Sequence, residues 1–303
     1  MGRGVIIATL ASPSNLTAPF DDRLLRLAPM PLRKVQQMEK LSVFVTTFNN
    51  AETLDRCLSS VSWADEMVVL DSFSTDDTLA IARHHGCQIH QRKFRGYGAQ
   101  KQMALEHTSN NWVLLLDADE MLSSGLQKEI QALLESGLSA AGYALPRREQ
   151  VFWRMNHPGV RLNYHLRLFD KRRGRLSDMP VHAAPKVEGK VERLTHPFFH
   201  FGERDIHEKV DKINAYSTGL VAEKLARGRR VNPLVLIFYP PWAFFRSYVL
   251  KRAFLDGWAG FIASVVMSFY AFLRYAKLYE HGRRARDEPT VDISSPPDRN
   301  ARV

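Results

Sequence analysis

Apolar and β-branched residues gather in short runs along the first half of the chain, and turn formers separate the runs. Leu41-Ser-Val-Phe-Val-Thr-Thr-Phe48 is the first, broken by Asn49-Asn50, after which Leu54, Leu58 and Val61 recur at helical spacing. Glu66-Met-Val-Val-Leu-Asp71 predicts a second strand, Ser74 to Asp77 a helix start, and Thr78 to His84 a helix ended by Gly86. Cys87 to His90 predicts a short strand, Gln100 to His107 a helix, and Trp112 to Leu116 a buried strand. Ser123 to Gly137 carries Leu126, Ile130, Leu133 and Leu134 on one helical face, Ala141 to Pro146 predicts a strand, and Leu166 to Phe169 returns to the sheet. Strands alternating with helices at this spacing predict an α/β domain: an open, parallel, Rossmann-like sheet with right-handed crossovers and flanking helices.

Both ends of the chain depart from this pattern. Residues 1–40 are rich in Pro and lack periodicity, which predicts disorder, and Met38 just before the first strand offers a second start. Past the expected α/β domain, residues 41–230, the pattern turns apolar. Residues 257–273 contain no charge and are flanked by Arg246, Lys251, Arg252, Arg274 and Lys277. Seventeen residues fall short of the roughly 20 that span hydrocarbon. An interfacial or re-entrant pair of membrane-associated helices within residues 231–280 is therefore at least as good an expectation as a span, with Trp242, Tyr248, Trp258 and Tyr275 at headgroup depth. Residues 281–303 are charged and Pro-rich, and disorder is expected there too.

The chain has 303 residues and a formal charge of +10, which implies an anionic partner without choosing among nucleic acid, an acidic membrane face and phosphorylated substrates. Its two cysteines, Cys57 and Cys87, have no metal-finger spacing, so neither a disulfide framework nor structural zinc is expected, and a reducing cytosol fits.

The chemistry begins where the run Asn111 to Leu116 stops on Asp117, Asp119 and Glu120. Carboxylates at the mouth of a buried strand call for a cation or a charged ligand, and strand alternation puts Asp117 and Asp119 on one side. Open α/β sheets bind ligands beyond the carboxyl ends of their strands, and Thr47, Asn49, Asp71 and the Asp117/Asp119 pair all fall at such ends. Gly96 and Gly98 form only part of a GxGxxG, which leaves a dinucleotide fingerprint poorly supported. A phosphatase of the haloacid dehalogenase class needs its nucleophilic Asp on the first strand, which here ends in Thr47-Phe48-Asn49.

Leu41 to Asn49, Val69-Leu-Asp-Ser-Phe-Ser-Thr-Asp76 and Leu116-Asp-Ala-Asp-Glu120, in that order and spacing, resemble glycosyltransferase family 2. Trp63 to Asp71, Gly98 to Leu105, Arg167-Leu-Phe169, Pro180-Val-His182 and Phe254 to Gly260 are similar to its bacterial lipopolysaccharide-core β-1,4-glucosyltransferases. The resemblance runs from about Leu41 to Glu280. It implies a GT-A fold, a nucleotide-sugar donor, UDP-glucose in the first instance, and an inverting displacement. It also implies a lipid-linked acceptor, a heptose of the lipopolysaccharide inner core, at the anionic inner face of the bacterial inner membrane. Thr47, Asn49, Asp71, Lys101 and Asp117 then become donor-binding candidates, and Asp119 with His182 the candidate ligands of a divalent cation, Mg²⁺ or Mn²⁺. Asp178 is the favoured base for the acceptor hydroxyl, with His182 as a second catalytic candidate.

Plainer roles compete at each position: a helix cap for Asp71, an exposed acidic turn for Asp117 and Asp119, an exposed helix lysine for Lys101, and a structural histidine for His182. His165, His196 and His200 lie in aromatic surroundings and are expected to be packing groups. The chain departs from the family pattern at Phe73, where a glycine is usual, and at Ala183, where a Glu usually follows the histidine. Basic and aromatic residues crowd between Arg147 and Arg175, which suits a phosphorylated saccharide acceptor, with a solvated face as the alternative. Nucleic acid is not expected, because it leaves the converging carboxylates without a purpose. A polyprenyl-phosphate sugar synthase and a degenerate, merely sugar-nucleotide-binding protein remain as alternatives.

Overall fold

Strand β1 (Leu41–Thr47) is apolar on both faces because it lies inside the sheet, between β2 (Glu66–Asp71) and β4 (Trp112–Asp117), with β3 (Gln88–Gln91) beyond β2. The structure is a computed structural model that describes residues 38–176, 184–202, 204–226 and 232–287. The disorder expected before Met38 and after residue 287, and the predicted loop Ser177 to His182, lie outside the described residues.

The four strands β3-β2-β1-β4 are parallel, with Thr47 opposite Asp71 and Thr46 opposite Asp117. Helices α1 (Ala51–Ser59), α2 (Thr78–His84) and α3 (Tyr97–Glu106) connect them, each close to its predicted position. Leu41, Val43 and Val45 pack on one side with Leu54 and Leu58 of α1 and with Leu126 and Ile130 of α4 (Ser124–Ser136). Phe44, Val68, Leu70, Val113 and Leu115 pack on the other side with Ala104 and Leu105 of α3.

Beyond β4 the sheet is mixed, which corrects the expectation of a parallel sheet. β8 (Asn163–Asp170) runs antiparallel to β4, and β6 (Gly142–Val151) antiparallel to β8. Only a short segment holding β7 (Arg154–Met155) joins β6 to β8, and no crossover helix fits there, so the pair must be antiparallel. β6 continues past the predicted Pro146 because its second half pairs with β12 (Phe198–His200), which also pairs with β5 (Glu120–Leu122) and sets His200 opposite Glu120. β11 (Val191–Arg193) joins the first half of β6, while β9 (Gly174–Leu176) and β10 (Pro185–Val187) form a separate hairpin.

Three helices follow: α5 (Ile206–Ala226), α6 (Leu234–Phe245) and α7 (Gly257–Asp287). α6 contains Pro240 and Pro241 and passes into a π-helical turn, Arg246–Leu250, and then a 3₁₀ turn, Ala253–Asp256. The buried carboxylate of Asp256 accepts the His157 backbone N–H at 2.6 Å and Asn156 Nδ2 at 2.8 Å, which ties the turn to the loop after β7. Gly260 lets α7 close against this turn, since a methyl group there would overlap the Ala253 carbonyl oxygen.

Gly260→Ala is expected to lower stability by about 1–3 kcal/mol, the cost of overpacking a close contact. A thermal midpoint equal to that of the wild type would show that α7 can move away from the turn.

Candidate active site: a cleft at the strand ends

The parallel register brings the ends of β1, β2 and β4 to one edge of the sheet, where an open cleft of about 1080 Å³ lies. Thr46, Thr47, Asn50 and Ser72 line its strand-end side, with Gln100 and Lys101 from α3. Asp117 and Asp119 form the floor, and Arg147, His165, Arg167 and His200 come from the antiparallel half of the sheet. β4 ends at Asp117 and β5 begins at Glu120, so a tight turn brings Asp119 into the cleft, not the strand alternation expected from the sequence.

The two aspartates have different surroundings. Asp117 is engaged on both oxygens: Lys101 Nζ lies 2.5 Å from Oδ1 and Arg167 Nη2 lies 3.1 Å from Oδ2. Arg167 also reaches Glu120 Oε1 at 2.5 Å, and Glu120 Oε2 accepts the Asp117 backbone N–H at 3.0 Å. Lys101, Arg167 and Glu120 are all buried, so the plain alternative of an exposed helix lysine does not hold. Burial opposes the Asp117 charge, yet Lys101 and Arg167 hold its carboxyl well below the usual carboxylate range. Burial pushes Glu120 up to about 6, with the Asp117 charge adding to the rise and Arg167 opposing it.

Asp119 is part-exposed, and among the described residues its side chain meets only His200, whose Nε2 lies 3.4 Å from Oδ2. Burial opposes the charged imidazole, but the hydrogen bond to Asp119 and its negative charge raise the His200 pKa above the ordinary value. His200 is therefore a site residue and not the packing group expected from the sequence. No signal in the sequence marked it, because β12 reaches β5 from about eighty residues away. His165 also lines the cleft: its buried Nε2 has no described partner, and burial, then Arg147 and Arg167, lower its pKa to about 4. His196, by contrast, pairs with Glu129 at 3.0 Å away from the cleft.

Among the described residues no cluster of three His, Cys, Asp or Glu side chains forms a cation site. Asp119 and His200 supply two donors facing the cleft, which fits a cation that takes its remaining ligands from phosphate oxygens and water. Asp117, held by two cations, does not offer a comparable free edge.

The nucleotide-loop candidates take structural positions. Asp71 is fully buried and accepts the Ser74 backbone N–H at 2.9 Å, the Ser74 hydroxyl and Gln91 Nε2 at 2.9 Å. Asn49 has φ 51° and braces the next loop: its N–H donates to Ser74 Oγ at 2.8 Å, and its Oδ1 accepts the Thr75 N–H at 2.9 Å. Neither side chain lines the cleft, whereas the neighbours Asn50 and Ser72 do. Thr47 lines it and donates to Asn50 Oδ1 at 3.0 Å. Phe73 adopts φ 66°, so the loop keeps the left-handed backbone that a glycine would favour, at a steric cost of roughly 1–2 kcal/mol. Asp178 and His182 lie outside the described residues, although Ala184 and Pro185 just beyond them line the cleft.

The cation pairing of Asp117 carries a pH signature. A carboxyl lowered in the folded state contributes stability above the unfolded pKa of about 3.9 and loses it as pH falls toward the lower folded value. The stability gap between wild type and Lys101→Met is thus expected to be full at pH 7 and to narrow below about pH 4. Chemical denaturation across that range measures it, and a gap that widens toward acid would contradict the assignment.

A family model for glycosyl transferase family 2 matches residues 42–211. The lipopolysaccharide core biosynthesis glycosyltransferase LpsC of Rhizobium meliloti is 34% identical over 261 residues, covering 83% of this chain and 96% of its own. An uncharacterized glycosyltransferase of Rickettsia felis is 31% identical over 257 residues, covering 80% of this chain and 90% of its own. Among solved structures, S. aureus TarS 1-349 aligns with TM-score 0.41 at 14% identity over 81% of this chain and 92% of its own. A Mycobacterium tuberculosis glucosyl-3-phosphoglycerate synthase, in complex with Mn²⁺, uridine diphosphate and glucosyl-3-phosphoglycerate, aligns with TM-score 0.32 at 23% identity over 37% of this chain and 44% of its own. On the family match and these relatives, the chain belongs to glycosyltransferase family 2.

Proposed function

We propose that this glycosyltransferase moves a hexose, glucose in the first instance, from a uridine diphosphate donor to a heptose of a lipid-linked lipopolysaccharide core, with inversion at the anomeric carbon. The observation that carries the reading is the contrast in the cleft: Asp117 is neutralised by Lys101 and Arg167, while Asp119 and His200 face open space. Such a floor accepts a diphosphate and a divalent cation together and keeps the rest of the site rigid. The donor side is built by Thr47, Asn50, Ser72 and Lys101 around Asp117, with Asn49 and Asp71 shaping the loops beneath.

In this displacement the acceptor oxygen bonds to the anomeric carbon as the bond to the diphosphate breaks, and the hydroxyl proton passes to a base. Asp119, with His200 or His182, would hold a divalent cation, Mg²⁺ or Mn²⁺, and the bound ion would supply positive charge to offset that of the leaving diphosphate. Arg147, which lines the cleft from the antiparallel half of the sheet, faces the same open space. Asp178 is retained as the proposed base.

The C-terminal helices support a place on the inner face of the membrane. Leu234, Ile237, Phe238 and Trp242 on α6 and Trp258 on α7 are each more than half exposed, apolar surface that water disfavours. The segment Ala253–Arg284 is long and apolar enough to cross a bilayer. Its contacts favour an interfacial position instead. The Asp256 turn ties its start to the catalytic sheet, and Lys277 Nζ near its end donates to the Asn214 carbonyl at 2.9 Å and to Ser217 Oγ at 2.8 Å on α5. With both ends beside the same domain, these contacts support the reading of a helix lying along the membrane surface.

Asp119→Asn is expected to reduce metal-dependent sugar transfer at least a hundredfold while leaving the thermal midpoint within about 1 kcal/mol of the wild type in stability terms. Mass spectrometry of the lipid product with a panel of nucleotide sugars reads the transfer. Full activity in the variant, or no transfer from any donor by the wild type, would overturn the reading.

A further inference from the structure

A second cavity, of about 400 Å³, lies between the antiparallel half of the sheet and the C-terminal helices. Arg147 lines both this cavity and the donor cleft, so the two share a wall at that side chain. Its volume falls within the range of small-ligand pockets, about 300–1000 Å³.

The charge of its walls is unbalanced. Six cationic side chains and two carboxylates line it. Among the described residues, neither carboxylate forms an ion pair with the cations of the helical side. Glu149 pairs with Arg147 at 2.8 Å, and both oxygens of Asp256 are held by His157 and Asn156. Among the described residues, Arg161, Arg246, Lys251 and Arg274 make no ion pair. Arg274 is sandwiched by tyrosines, its guanidinium carbon 5.7 Å from the Tyr239 and Tyr270 ring centres and 5.1 Å from that of Tyr275. Its buried Nε has no hydrogen-bond partner. Guanidinium groups gathered without carboxylates match an oxyanion with several acceptor oxygens.

The backbone beside Lys251 is strained. Arg252 sits at φ 62°, and Gly257 at φ 61° closes the same turn. The turn presents Lys251, whose carbonyl accepts the Arg161 backbone N–H at 3.0 Å, so the cations of the sheet and of the helices are tied together. An excess of positive charge in a cavity wall, with left-handed non-glycine backbone at the residue next to Lys251, suits a binding site. Trp242, half exposed, belongs both to the cavity wall and to the apolar surface of α6.

We infer that this cavity is a binding site for a phosphate group, held by Arg161, Arg246, Lys251 and Arg274, on a molecule whose saccharide reaches the donor cleft past Arg147. The assignment rests on the transferase reading for the direction in which the saccharide points. Two sources offer this chemistry, a phosphorylated lipid headgroup and a soluble phosphate. The apolar surface continuous with Trp242 favours the lipid headgroup.

Equilibrium binding of radiolabelled dodecyl phosphate to the full chain in a non-ionic maltoside detergent tests the site, with uridine diphosphate binding measured on the same samples. The wild type is expected to bind saturably, and Arg161→Gln combined with Arg246→Gln to weaken binding at least about tenfold with uridine diphosphate affinity unchanged. If the double variant also loses uridine diphosphate, the single changes Arg161→Lys and Arg246→Lys decide the matter: retained charge without the planar fork is expected to weaken dodecyl phosphate several-fold. Displacement by inorganic phosphate at a similar concentration assigns the site to a soluble phosphate, and displacement by unlabelled dodecyl phosphate alone assigns it to a lipid headgroup. Equal affinity in wild type and variants, or uptake without saturation, overturns the site. Neither measurement needs turnover. Phosphate binding without sugar transfer would sink the proposed function alone, and sugar transfer with unchanged binding in the variants would sink this inference alone.

Discussion

The guanidinium of Arg167, buried between Asp117 and Glu120, is the interaction on which the site depends. It joins β8, the first antiparallel strand, to the end of β4 and the start of β5, and so connects the two halves of the sheet at the floor of the cleft. Removing two carboxylates from water is costly unless cations and hydrogen bonds replace the lost hydration. Arg167, Lys101 and the Asp117 backbone N–H supply that replacement. Breaking such a cluster on one side leaves an uncompensated charge, which is far more damaging than exchanging the whole cluster for apolar groups.

This arrangement divides the acidic cluster into residues that build the floor and a residue left open to the cleft. Asp117 and Glu120 hold the floor in place, and Asp119, displaced by one turn of backbone, faces the open cleft with His200. Behind the floor, the Cys57 thiol lies 3.6 Å from the Asp117 carbonyl oxygen, and burial followed by the nearby carboxylates keeps it protonated, so it is a packing group rather than a nucleophile. The rim is organised in the same way. The loops after β1 and β2 are latched through Asn49, Ser74, Thr75, Asn50 and Thr78, and this latching sustains left-handed backbone at Asn49 and Phe73.

The basic stretch between Arg147 and Arg175 is not one surface. Arg167 is buried with the acidic floor, Arg172 is held by Asp170 at 2.7 Å, and Lys171 donates to the Thr108 carbonyl. Arg147 and Arg161 line the cavity toward the helical region, where Arg246, Lys251 and Arg274 meet them from a distant part of the chain, and Arg154 donates to the Asp256 carbonyl at 3.4 Å. The C-terminal helices thus contribute charge to the enzyme as well as apolar surface, and Asp256 sets their position against the sheet.

Much of the architecture was legible in the chain by itself, for a physical reason. β1, β2 and β4 are buried on both faces and must be continuous apolar runs, and their helices must be amphipathic, so local pattern alone reveals them. The order of the motifs also located Thr47, Lys101, Asp117 and Asp119, all of which line one cleft. The direction of β8, the pairing of β12 and the roles of individual charges were not legible, because each depends on partners far away in the chain. Arg167 looks like any basic residue until β8 lies beside β4, and His200 looks like part of an aromatic run until β12 pairs with β5. The sequence by itself determined which elements form and which carboxylates gather at the strand ends. Only the tertiary structure decided which of those carboxylates is neutralised and which is left facing the open cleft, since charge compensation depends on distance in space and not on spacing along the chain.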